Sequence, residues 1–306
     1  MGALVPWSAA DIAAFSHQPL RAPHTLHESG PFGDDALVEL LDRLPRSNLH
    51  AYTMGTDPAT PSDWQEADHT GIDGATLMAA VRRGRLWLNI LRVHQVDPAL
   101  SELVAAAYAE LQRQVPDFEV VSTSATLLVS SPTAQVYYHA DGQPNLLWHV
   151  RGRKRVYVYP ALDERFATTE ALQRIFTGEA HEELPYDPSF DQSATVFELE
   201  PGHVASWPQN SPHRVENTEG LNVSLSTEHT TVATLRRQNV WSANRFFSTR
   251  LKVPVRGTKE TGIGAQVKST AYRALRKAGV RALPARDHTP TVRVDPDAEL
   301  GYAALR

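Results

Sequence analysis

Three residues of this 306-residue chain, which has no cysteine, are spaced to hold a metal ion. His139 and Asp141 are separated by one residue in "YYHADGQP". In an extended segment, positions i and i+2 point to the same side, so an imidazole nitrogen and a carboxylate oxygen can converge on one ion. The third ligand must come from elsewhere. His213, in "WPQNSPHRVEN", is the best candidate, because it opens a later strand after a Pro-rich turn. Two histidines and one carboxylate occupy one face of an octahedron and leave three positions open, the donor set of non-haem Fe(II) oxygenases. With 13 histidines in the chain, His-x-Asp alone says little, and its weight comes from the residues C-terminal to it.

The segment "NLLWHVRGRKRVYVYP" supplies that weight. Its spacing predicts a hairpin turning at Gly152, with Lys154 opening the return strand. Asn145, Leu147 and His149 share one face, and Lys154, Val156 and Val158 share another. A lysine on an apolar interior face needs an anion, because a buried unpaired ammonium is costly. The distal carboxylate of a dicarboxylate co-substrate would supply one.

These residues resemble the core of the Jumonji-C and cupin-like Fe(II)- and 2-oxoglutarate-dependent oxygenases, and are similar in particular to the asparaginyl hydroxylase of the hypoxia-inducible factor. The family's order of His-x-Asp, Asn, Gly-x-Lys-Arg and a strand ending in Pro is met by His139, Asp141, Asn145, Gly152, Lys154, Arg155 and Pro160. Its later element is met by Pro201, Gly202, Pro208 and "HRVEN" at 213–217. The resemblance covers residues 30–230 and leaves out the basic tail. It implies a double-stranded β-helix, or jelly-roll, core with flanking helices. It implies Fe(II) held by His139, Asp141 and His213, with 2-oxoglutarate and O2 as co-substrates. Lys154 would pair with the distal carboxylate. Asn145 would sit behind the metal ligands or touch the co-substrate, with Leu128 and Leu147 as pocket walls, and a pocket tyrosine of the family would fall near Trp87 or Asn89. One position departs: Val136 stands where the family carries a hydroxyl three residues before the first ligand. Thr126 or Tyr138 would replace that hydrogen bond. Ser226, alternating with Asn222 and Ser224 on the last core strand, is expected to face the site. His94, His203 and His229 are expected to be structural, as are Trp148 and Trp207, and His149 is either a core residue or a substrate contact.

The implied activity is hydroxylation of a protein or peptide side chain, or of an amino-acid-like small molecule. N-demethylation is the same chemistry at another carbon. Two other classes stay open: a non-catalytic cupin-fold binding protein, and a metallocupin that does not use 2-oxoglutarate. Asp141 together with Lys154 argues against the latter.

The elements that must position these groups are legible from periodicity. Residues 32–45 read as a helix, as do 73–84 and 97–116, the last capped by Asp97 with Pro98 as its first residue. Residues 85–93 alternate and read as a strand, and 46–72 as mostly loop. From 119 to 230 short β-rich runs are separated by turn signals, the texture of a sandwich or barrel. The expected organisation is N-terminal helical and strand elements (1–118), a jelly-roll core (119–235) and a basic, partly helical extension (236–306, with a helix over 269–283). The net charge of −5 is uneven. Residues 245–286 carry eleven Lys/Arg against one acid, Glu260. Such a segment docks on its own acidic body, on a second subunit of a homodimer, or on an acidic partner. No nucleic-acid motif accompanies it, which speaks against nucleic acid. Without a signal peptide or a long apolar run, the expectation is a cytoplasmic protein with no membrane association.

Overall fold

The structure is a computed structural model, and it describes residues 2–253, 257–277, 279 and 290–305. Its strands are β1 (Leu20–Pro23), β2 (Leu49–Thr53), β3 (Glu66–Asp68), β4 (Leu86–Ile90), β5 (Val120–Ser130), β6 (Gln135–His139), β7 (Asn145–Val158), β8 (Thr195–Leu199), β9 (His203–Ser206), β10 (His213–Thr231), β11 (Val292–Val294) and β12 (Tyr302–Ala304). Its helices are α1 (Ala9–Ala14), α2 (Leu26–Ser29), α3 (Asp34–Arg43), α4 (Gly74–Arg83), α5 (Val93–Val96), α6 (Pro98–Gln114), α7 (Thr169–Phe176), α8 (Val232–Arg250) and α9 (Ile263–Lys277). Among the described residues, no helix is long and apolar enough to cross a membrane.

The strands run β1-β9-β7-β10-β5-β4-β2-β3-β11-β12, with β6 added on β10 and β8 on β7. The two long strands make this a jelly roll. The first half of β7 pairs with β9 and with the second half of β10, from Asn145↔Glu228 to His149↔Ser224. The second half of β7 pairs with β8 and with the start of β10, from Lys154↔Asn217 to Val158↔His213. Between these halves the register breaks, and Gly152 sits at φ +78°. Gly152 therefore does not turn the chain back into the expected hairpin. It kinks one continuous strand where its outer partner changes from β9 to β8, as bulges do. A Cβ there would lie 2.7 Å from Asn222 Nδ2 and Leu221 O, in a backbone region L-residues avoid. Gly152→Ala should lower stability by roughly 2 kcal/mol or more, read as a fall in thermal midpoint.

Period-two alternation sorts the side chains. Ala125, Leu127 and Val129 of β5, Leu146, Trp148 and Val150 of β7, and Val223 and Leu225 of β10 join a core under the helices. That core takes the α6 stripe of Leu100, Leu103, Val104, Ala107, Tyr108 and Leu111, as its spacing predicts. The opposite faces of the same strands line the interior, where Leu147, Val156, Val158, Trp207 and Val215 pack with Leu128 and Val136. His94 and His229 have structural partners: His229 Nδ1 meets Tyr108 Oη, and His94 Nδ1 accepts from the Ala125 amide.

Three expectations need correction. Residues 46–72 contain β2 and β3, and β2 pairs fully with β4. Inside the β-rich stretch, residues 169–176 form α7, whose Leu172 and Phe176 are buried. The tail helix begins earlier than its sequence suggests and is α9, Ile263–Lys277; residues 278 and 280–283 lie outside the described residues. The basic stretch begins on the protein's own acids, with Arg245 clamping Glu179 at 2.7 Å and Glu170 at 3.1 Å.

Candidate metal and co-substrate site

His139 ends β6, and His213 opens β10 directly opposite it in the antiparallel register. The two ring centroids are 4.0 Å apart. Asp141 lies just beyond β6, outside regular strand, and still turns to the same point. Its Oδ1 is 3.6 Å from His139 Nε2, and its Oδ2 is 3.6 Å from His213 Nε2. One ligand atom from each of the three residues falls within 4.8 Å of the others.

The tautomers follow from the other ring nitrogens. His139 Nδ1 donates to the Tyr137 carbonyl at 2.7 Å, and His213 Nδ1 to the Ser211 carbonyl at 3.1 Å. Both Nε2 lone pairs therefore face the shared point, the second-partner arrangement typical of ligating histidines. Burial, and then the neighbouring His139, pull His213 down to about 3, so it is neutral across physiological pH. The 3.6 Å separations are too long for hydrogen bonds, and a buried carboxylate facing two imidazole lone pairs is poorly satisfied. A divalent cation of borderline softness fits this donor set.

Asn145 begins β7 and donates to Asp141 Oδ2 at 3.3 Å. It exchanges two hydrogen bonds with Ser226, at 2.8 and 3.0 Å. Thr126 is the β5 register partner of Ser226, on the same inward face as Leu128. Leu147 is the β7 partner of Ser226. Tyr138 cannot stand in for the hydroxyl absent at Val136: it points out of the barrel and donates to Phe166 O at 2.8 Å. His149 is fully buried, bonded to Ser224 Oγ at 3.0 Å and to the Gly152 carbonyl at 2.9 Å, so it is a core residue.

Lys154 is 4% exposed and, among the described residues, meets no hydrogen-bond or ion-pair partner. Burial pulls its ammonium down to about 7. It opens on a narrow cavity lined by Trp87, Leu128, Ser130, Val136 and Asn217. Trp87, one of the two residues near which the family's pocket tyrosine was expected to fall, thus lines this cavity. Asn217, inside the "HRVEN" motif, has no role legible in the sequence; it bonds Ser130 Oγ and the Ser131 carbonyl and walls the cavity. Tyr137, Trp64 and Met54 close the next stretch of wall. Trp64 comes from the segment whose composition reads as loop, so no periodicity marks it. Glu228, further along β10, is likewise unmarked by any motif. Burial, and then the charges of Asp141 and Glu182, push it up to about 8.

No protein-family profile and no curated protein matches this sequence. Solved structures do. The X-ray structure of Escherichia coli YcfD is similar at 16% identity, covering 89% of this chain and 68% of that one, with a TM-score of 0.51. A structure described as the Escherichia coli ribosomal oxygenase YcfD gives 14% identity, 90% and 68% coverage, and a TM-score of 0.51. A third, of that oxygenase in complex with cobalt and 2-oxoglutarate, gives 15% identity, 89% and 67% coverage, and a TM-score of 0.51. The likeness establishes the fold: a jelly-roll core with flanking helices.

Proposed function

We propose that this protein is an Fe(II)- and 2-oxoglutarate-dependent oxygenase that hydroxylates a side chain of a protein or peptide. The observation that carries the reading is Lys154, a buried ammonium with no partner among the described residues, opening into the same barrel as the His139–Asp141–His213 cluster. A buried ammonium needs an anion there, and a metal-chelating dicarboxylate joins the two features. The similar fold of a ribosomal oxygenase, solved with cobalt and 2-oxoglutarate, supports the reading and favours a protein substrate.

When bound, iron would couple oxidative decarboxylation of 2-oxoglutarate, to succinate and CO2, to insertion of one dioxygen atom into a substrate C–H bond. His139, Asp141 and His213 would hold the metal. Asn145, itself braced by two hydrogen bonds to Ser226, donates to the Asp141 carboxylate and helps orient it toward the metal. Lys154 would neutralise the distal carboxylate. Leu128, Leu147, Val156 and Val215 exclude water from the space between, strengthening that ion pair. Purified protein with Fe(II), ascorbate and 2-oxoglutarate should release succinate even without substrate, slowly and in step with dioxygen uptake. Succinate no faster than in protein-free controls, from folded and metal-loaded protein, would count against the reading.

A further inference from the structure

We infer that the turn at 208–211 is a clasp that sets the position of Asp141 relative to His213, with Gln209 and Asn210 as positioning residues. The inference rests on the metal reading above. The Ser211 amide donates to Pro208 O at 3.0 Å, closing a β-turn with Asn210 at its third position. Asn210 has φ +67°, which a turn of this kind demands there. Glycine would satisfy that conformation without strain, and Asn is the side-chain-bearing residue that tolerates it best.

The side chain has a use. Asn210 Nδ2 donates to the Asp141 carbonyl at 3.2 Å, and Gln209 Nε2 to the next carbonyl, Gly142 O, at 3.0 Å. Residues 141 and 142 lie outside any strand, so two side-chain amides take the place of ladder partners for consecutive carbonyls. The same turn presents the Ser211 carbonyl to His213 Nδ1. One short segment thus grips the backbone of the carboxylate ligand and orients the imidazole of another. Asn210 is 2% exposed, and its Oδ1 is buried without a partner. Its acceptor is sacrificed so that its donor reaches Asp141, a choice that packing alone does not explain. From outside, Arg237 of α8 donates to Gln209 O at 3.2 Å and pairs with Glu260 at 2.6 Å. The turn is therefore anchored to α8 as well as to the barrel.

The test is Co(II) titration of the full apo chain, read by calorimetry and by the visible ligand-field spectrum. Asn210→Gly keeps the backbone conformation and deletes the amide. It should weaken Co(II) binding by about 10–100-fold, the usual effect of losing an outer partner, and alter the spectrum, with the apo thermal midpoint little changed. Gln209→Ala, which leaves the turn residue intact, should weaken it less and in the same direction, and it decides the matter if Asn210→Gly does not fold. Wild-type affinity and an unchanged spectrum in the folded variants would overturn the clasp while leaving the metal reading standing. Wild-type protein that binds no Co(II) would overturn both.

Discussion

Lys154→Met should abolish 2-oxoglutarate binding and at the same time make the protein more stable. Both effects come from one ammonium. Losing a buried charge from an ion pair costs about 2–5 kcal/mol of binding, so affinity should fall by about 30-fold or more while metal binding persists. Without the dicarboxylate, Lys154 is buried and unpaired, and burial has brought it down from 10.5 to about 7. The folded state therefore prefers the neutral amine. Between about pH 7 and 10.5 the unfolded chain binds more protons, so the stability of the co-substrate-free protein should rise with pH across that window. Lys154→Met should flatten this slope and add about 2–4 kcal/mol at neutral pH, measured by denaturant melts at several pH values. The same ammonium gives co-substrate binding a pH dependence. Above pH 7 a proton must be taken up on binding, and affinity should fall by up to about tenfold per pH unit. A variant that binds 2-oxoglutarate as wild type does would remove Lys154 from its assigned role.

His213→Ala should remove the metal and, with it, everything that depends on the metal. His213 is 3% exposed, neutral, and wedged between Trp207 and His139, with ring centroids at 4.3 and 4.0 Å. Losing one of three ligands should exceed the roughly 10–100-fold expected for an outer partner. Co(II) or Fe(II) affinity should therefore fall by more than about 100-fold, well beyond Asn210→Gly. The apo protein should stay folded, because the backbone pairing of β6 with β10 remains. The ranking of these two variants is itself informative. Equal losses would mean that His213 contributes no more than a positioning group.

Much of this site is visible along the sequence, because its parts lie where local patterns are strong. His139, Asp141, Asn145 and Lys154 fall within sixteen residues of alternating, β-branched and aromatic sequence, and strand alternation alone places three of them inward. Asp97, Pro98 and a 3.6-residue stripe define α6. What local pattern does not carry is geometry across strands. Gly152 reads as a turn glycine, since a positive φ in a bulge and in a hairpin looks the same in one dimension. Periodicity therefore breaks the continuous β7 and β10 into four short strands. Tyr138 and Tyr137 are adjacent hydroxyl-bearing residues; only the placement of β6 shows that Tyr138 faces Phe166 outside the barrel, while Tyr137 borders the pocket. β2 is hidden because its five alternating residues sit before a run rich in Asp, Pro and Thr. Its Trp64-bearing continuation becomes part of the pocket wall without any periodic signal. Asn210 and Gln209 look like ordinary turn residues until the carbonyls they hold are seen.

The most direct measurement is an anaerobic titration of the apo protein with Fe(II) and 2-oxoglutarate, followed in the visible. Chelation of the metal by the 2-oxo acid beside His139, Asp141 and His213 predicts a saturable charge-transfer band that needs both additions, saturates at one equivalent each, and is lost in His213→Ala. Folded wild-type protein that binds neither component, or binds Fe(II) without the band, would contradict the assignment of this barrel as a 2-oxoglutarate oxygenase.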